Sequence, residues 1–93
     1  MSAIIQPHPN SRRNKLIGEW AAAKLGLSGP AVEDYIKTVR KADLASKGDE
    51  DVFVKIRQDF DAKAVAVPDA ELRKAMADFL IKAMEQIDGE RKA

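Results

Sequence analysis

The stretch from Asp69 to Asp88, DAELRKAMADFLIKAMEQID, decides the fold. Its apolar residues Leu72, Met76, Phe79, Leu80, Ala83 and Ile87 follow one another at helical spacing, so a 3.6-residue period places all six on one face. A helix with such a stripe must bury it against other helices. Because this is the cleanest period in the chain, the helix over 69–88 is expected to be the central packing partner.

Three more helical segments lie upstream, separated by stop and restart signals at Gly26 to Pro30, Gly48 to Asp49 and Val67 to Asp69. The first, about Ser11 to Leu25, repeats Leu16, Ile17, Trp20 and Ala21, with Ser11 or Asn10 as the predicted N-cap. Gly26 fits the left-handed position after a helix, and Pro30 is tolerated only in a first turn. The second segment, about Pro30 to Lys47, carries Val32, Tyr35, Ile36, Val39 and Ala42 on one stripe. The third, about Glu50 to Lys63, carries Val52, Phe53, Ile56, Phe60 and Ala64, leaving Val54 on the wet side. Asp49, Glu50 and Asp51 stand where the positive end of that helix favours acids. Five acid-first pairs at i,i+4 recur along these segments: Glu33 with Lys37, Asp43 with Lys47, Asp51 with Lys55, Asp59 with Lys63, and Asp78 with Lys82. That spacing suits exposed helix faces and not strands. The expected fold is all-α, a small four-helix bundle, with 1–10 a flexible N-terminal tail and 11–93 a single helical domain.

Ninety-three residues hold one core and not two. Lys+Arg 16 against Asp+Glu 15 leaves a net charge of +1, which supplies no steering field for nucleic acid or anionic lipid. With no cysteine, disulfide scaffolds, zinc fingers, iron–sulfur sites and thiol nucleophiles drop out. The longest apolar run, Ala64 to Val67, falls far short of a membrane span, and MSAIIQPHPN lacks the basic and apolar regions of a secretory signal. No membrane insertion and a cytoplasmic address are expected.

Little catalytic chemistry is present. The one histidine, His8, lies between Pro7 and Pro9 and reads as a solvated tail residue. The Asp49-Glu50-Asp51 cluster lacks the glycine-interrupted spacing of a calcium loop, and no glycine-rich turn ends in Lys-Ser or Lys-Thr. Neither a metal nor a cofactor is expected, and the chain is not expected to be an enzyme. Arg12, Arg13 and Lys15 form the tight basic knot, which reads either as a contact for phosphate or an acidic partner or as a solvated helix start. Gly18, inside the first helix, costs about 0.5–1 kcal/mol against alanine and points to close approach by a neighbouring helix or a bound partner. Ile4 and Ile5, large apolar residues in the tail, would either patch the bundle or touch a partner.

RRNKLIGEWAAAKLGLSG, from Arg12 to Gly29, resembles the zeta subunit family, small alphaproteobacterial inhibitors of the F-type ATP synthase. KADLASKGDEDVFVKIRQDFDAK from Lys41 and ELRKAMADFLIKAM from Glu71 extend the resemblance over most of the foldable chain. The resemblance implies a four-helix bundle and a regulatory, non-catalytic protein whose partner is the catalytic head of the ATP synthase. It also implies an inhibitory element in a mobile, charge-rich leader ahead of the arginine pair. This sequence departs there: MSAIIQPHPNS is shorter than the usual leader, carries no Asp, Glu, Lys or Arg, and contains two prolines that prevent continuous helix. Inhibition of ATP hydrolysis is accordingly expected to be weakened or lost. The partner-binding candidates are Ile4, Ile5, Arg12, Arg13, Asn14 and Lys15. The alternative is a stand-alone bundle that binds an adenine nucleotide weakly, or another protein, without regulating the ATP synthase. A monomer is expected in either case.

Overall fold

The computed structural model describes residues 9–45 and 49–92. Four helices follow in order: α1 over Pro9–Lys24, α2 over Pro30–Ala45, α3 over Asp49–Ala62 and α4 over Asp69–Lys92. Helices alone make up the fold among the described residues, so the all-α four-helix expectation holds. The proposed tail, 1–10, falls outside the described residues except for its last two. Pro9 and Asn10 belong to α1, which starts before the predicted Ser11. Proline suits the first helical position because the backbone N–H it lacks would have no partner there. Asn10 and Ser11 therefore lie within the first turn, and neither is the N-cap. At the other end α4 runs past Asp88, through Gly89, to Lys92.

Two helix ends share one closure. Leu27 N–H donates to the Ala22 carbonyl at 2.9 Å and Gly26 N–H to the Ala23 carbonyl at 3.1 Å, with Gly26 at φ 81°, the motif glycine serves best after a helix. Past α3, Val65 donates to Phe60 at 2.8 Å and Ala64 to Asp61 at 3.1 Å, with Ala64 at φ 56°. Ala64 is thus an exposed closing residue and not the core position its spacing predicted. Arg57 fastens the turn into α4, donating to Asp61, Asp69 and the Val67 carbonyl.

The buried stripes of α2 and α3 contain Tyr35, Ile36, Val39, Val52, Phe53, Ile56 and Phe60, as their periods predict. In α1 the stripe is rotated: Arg13, Asn14, Ile17, Gly18, Ala21 and Ala22 are buried, while Leu16 and Trp20 are half-buried. α1, and not α4, is the central helix, packing most extensively against α2 and α4. The reason is its small residues, for Gly18 lets the α2 backbone come close, and a Cβ there would stand 3.3 Å from the Ile36 Cα. Trp20 leans on both Phe60, at 5.9 Å between centroids, and Phe79, at 6.3 Å, joining α1, α3 and α4.

The charged side chains depart from the predicted order. Among the described residues the i,i+4 ion pairs run base first: Lys55–Asp59, Arg57–Asp61 and Lys74–Asp78. Three of the predicted acids are held by other partners. Asp43 accepts from Asn14, Asp59 from Tyr35 and Lys55, and Asp78 from Lys74. Lys47, the partner predicted for Asp43, lies outside the described residues.

Candidate functional site

Of the predicted partner residues, Arg12, Arg13, Asn14 and Lys15 lie at one end of the bundle, where α1 begins and α4 ends. Helical sterics set their directions. Successive residues on a helix are about 100° apart, so the run Arg12-Arg13-Asn14-Lys15 cannot share one face. Arg13 and Asn14 stand one turn before Ile17 and Gly18 and point inward with them, whereas Arg12 is half-buried and Lys15 is exposed.

The inward pair forms a polar lock. Arg13 has no exposed surface, and its Nε donates to Asn14 Oδ1 at 2.8 Å while its Nη2 reaches Asp49 Oδ1 at 3.1 Å. Asn14 in turn donates through Nδ2 to Asp43 Oδ2 at 3.0 Å. One arginine and one asparagine thereby tie the start of α1 to the end of α2 and the start of α3. A charge taken out of water needs such partners. Arg13 Nη1 is buried without a hydrogen-bond acceptor. The solvated-helix-start reading is therefore overturned for Arg13, and neither Arg13 nor Asn14 offers a partner any appreciable surface.

Arg12 turns the other way, toward α4. Its guanidinium grips Glu90 with both Nη atoms, at 2.8 and 2.9 Å, and reaches Gln86 Oε1 at 3.1 Å. That hydrogen bonding holds the Glu90 carboxyl below the usual carboxylate range. Pairing at both ends of the molecule, Arg12 with Glu90 and Lys24 with Glu71, shows that α1 and α4 are antiparallel. Ile4 and Ile5, like His8, lie outside the described residues.

Beside Arg12 an open groove of about 480 Å³ is lined by Pro9, Ile81, Met84, Glu85, Ile87 and Asp88. Sequence reading missed it, because Ile81 and Met84 fall outside the regular stripe of α4. They are 56% and 53% exposed, and large apolar side chains grouped in this way depart from ordinary surface. Among the described residues that line it, the polar side chains are the two acids, which repel a phosphate.

No cluster of three or more His, Cys, Asp or Glu able to hold a metal occurs among the described residues. Asp59 and Asp61 serve separate partners, Tyr35 with Lys55 and Arg57, and do not form an acid and base pair. No helix among the described residues is long and apolar enough to cross a membrane.

This end carries exposed Lys15, the Arg12–Glu90 pair and the apolar groove. A search of curated proteins found no match. The family model described as ATPase inhibitor subunit zeta matches residues 6–86, which takes in α1, α2, α3, most of α4 and the Arg13–Asn14 network. With that match over most of its length, the chain belongs to the ATPase inhibitor subunit zeta family.

Proposed function

We propose that this chain is a regulatory, non-catalytic protein that docks on the catalytic head of an F-type ATP synthase, with its inhibition of ATP hydrolysis weakened or lost. Family membership over residues 6–86 carries the docking half of the reading. The weakening rests on residues 1–11, which hold no Asp, Glu, Lys or Arg, and whose prolines at 7 and 9 oppose a continuous helix. A helix wedged into an enzyme interface needs unbroken hydrogen bonding and charged contacts, and these residues provide neither. Lys15 and the rim around Arg12 are the accessible contacts, because Arg13 and Asn14 are spent inside the bundle. The reading places the protein in the cytoplasm as a monomer.

Titrating purified ATP synthase with the protein tests both halves. Saturable binding with little change in ATP hydrolysis is the expected result. Absence of binding overturns the docking, and strong inhibition overturns the weakening. The same titration with adenine nucleotide, followed by amide NMR shifts, separates the stand-alone bundle from the regulator: nucleotide shifts without enzyme binding would favour the bundle.

A further inference from the structure

We propose that the outer face of the α1–α2 pair, where Lys15, Lys37, Arg40 and Lys41 gather, is the surface that docks on an acidic patch of the partner protein. The inference rests on the docking reading and assigns that docking to one face of the bundle.

Register brings the four bases together. Gly18 packs against Ile36 and Asn14 bonds Asp43, so α1 and α2 are antiparallel and Lys15 is level with the turn of α2 that holds Arg40 and Lys41. Direction follows from the helical period. Lys15 lies about 60° around α1 from Gly18, and Arg40 about 40° around α2 from Ile36, each turned away from the core residues Ile17 and Tyr35. Lys37 and Lys41 continue outward on the same side, and all four side chains are exposed.

Charge supplies the second argument. Arg12, Arg13, Arg57 and Arg73 all hold carboxylates. None of the four clustered bases has an ion pair or a side-chain hydrogen bond with another described residue, although Glu33 stands one turn before Lys37. Lys37 with Arg40 and Lys37 with Lys41 set like charges three and four positions apart on one helix, a spacing that costs stability. The helix dipole does not account for them, because the last turn of α2, where it favours a base, holds none. Carboxylates of a partner relieve the repulsion. Exposed Glu19 and Glu33 bound the cluster at one end. A phosphate backbone running along the face would meet those acids, whereas a compact group of carboxylates on a folded protein fits within the patch.

Two variants of equal net charge give the test. Lys37→Glu with Lys41→Glu reverses the face, and Lys63→Glu with Lys82→Glu makes the same change of charge outside it, past the end of α3 and on α4. Each is titrated onto purified ATP synthase beside the parent chain, with helix content and Trp20 fluorescence reporting the fold. The first pair should weaken binding by about tenfold or more and flatten its dependence on salt, and the second should leave both near the parent values. The neutral pair Lys37→Gln with Lys41→Gln should fall between the parent and the reversed pair. Equal binding by the two Glu pairs overturns the assignment to this face. No binding by the parent chain overturns the docking itself, and this face with it. Duplex DNA or vesicles of anionic lipid that bind the parent and not the first pair would give the face to another class of partner and overturn the proposal.

Discussion

Gly18 and Gly89 are both helical, yet their surroundings call for opposite outcomes on replacement. A Cβ on Gly18 would stand 2.9 Å from Ile36 Cγ1 and 3.3 Å from the Ile36 Cα, and the backbone atom cannot swing aside. Overpacking of this kind costs about 1–3 kcal/mol, against a propensity gain of about 0.5–1 kcal/mol. Gly18→Ala is predicted to lower stability by about 1 kcal/mol in a urea melt. A Cβ on Gly89 meets nothing within 4 Å, so Gly89→Ala keeps the propensity gain and raises the midpoint. Tyr35 supplies a pH dependence. Burial, reinforced by its 2.8 Å bond to Asp59, pushes the phenol far above its ordinary value of about 10. The folded chain then keeps a proton that the unfolded chain sheds, so above pH ~10 stability falls as pH rises. Phenolate absorbance of this single tyrosine should grow only as helix content is lost. Tyr35→Phe should flatten that alkaline decline, relative to the parent chain, at a loss near neutrality of about 0.5–1.5 kcal/mol. Phenolate forming within an intact helical fold would contradict the assignment.

Among the elements, α1 depends on the polar lock at its start. Removing one partner of a buried ion pair strands the other, whereas replacing the buried charge with an apolar side chain of similar length does not. Asp49→Ala should therefore destabilise by about 2 kcal/mol, discounted from fully buried cases because Asp49 is half exposed. Arg13→Met should have a smaller effect, and adding Asp49→Ala to it should change little. Equal, additive losses in the denaturation midpoints would show that the two residues are not coupled. The same lock marks where sequence reading ends. Periodicity identified four helices and the stripes of α2 and α3 because their large side chains repeat cleanly. It misplaced the α1 stripe by one position because Leu16 and Trp20 outweigh the glycine and alanines that pack. The signal for the lock was present: Arg13 and Asn14 precede Ile17 and Gly18 by one turn, and Ala21 and Ala22 follow by another. Their partners Asp43 and Asp49 come from other helices, however, and no local pattern announces such a pairing. The groove escaped for a related reason, since it arises only where the start of α1 meets α4.

At the scale of the whole molecule, Trp20 reports on the packing of three helices at once, between Phe60 and Phe79 and beneath Lys24 at 5.2 Å. A chain of this size with one core should unfold in a single step. Trp20 fluorescence and far-ultraviolet helicity are therefore predicted to change together in urea, with one midpoint. A fluorescence change ahead of the helicity would mean that α3 or α4 leaves the bundle first. The other ion pairs bridge side chains that water reaches, and dissolved ions screen such pairs over about 8 Å at physiological ionic strength. Arg13 meets Asp49 with its guanidinium sealed from those ions. Brine should thus loosen the outer fastenings first and leave the α1 to α3 junction in register, giving the bundle a hinge-free end in media from fresh to saline.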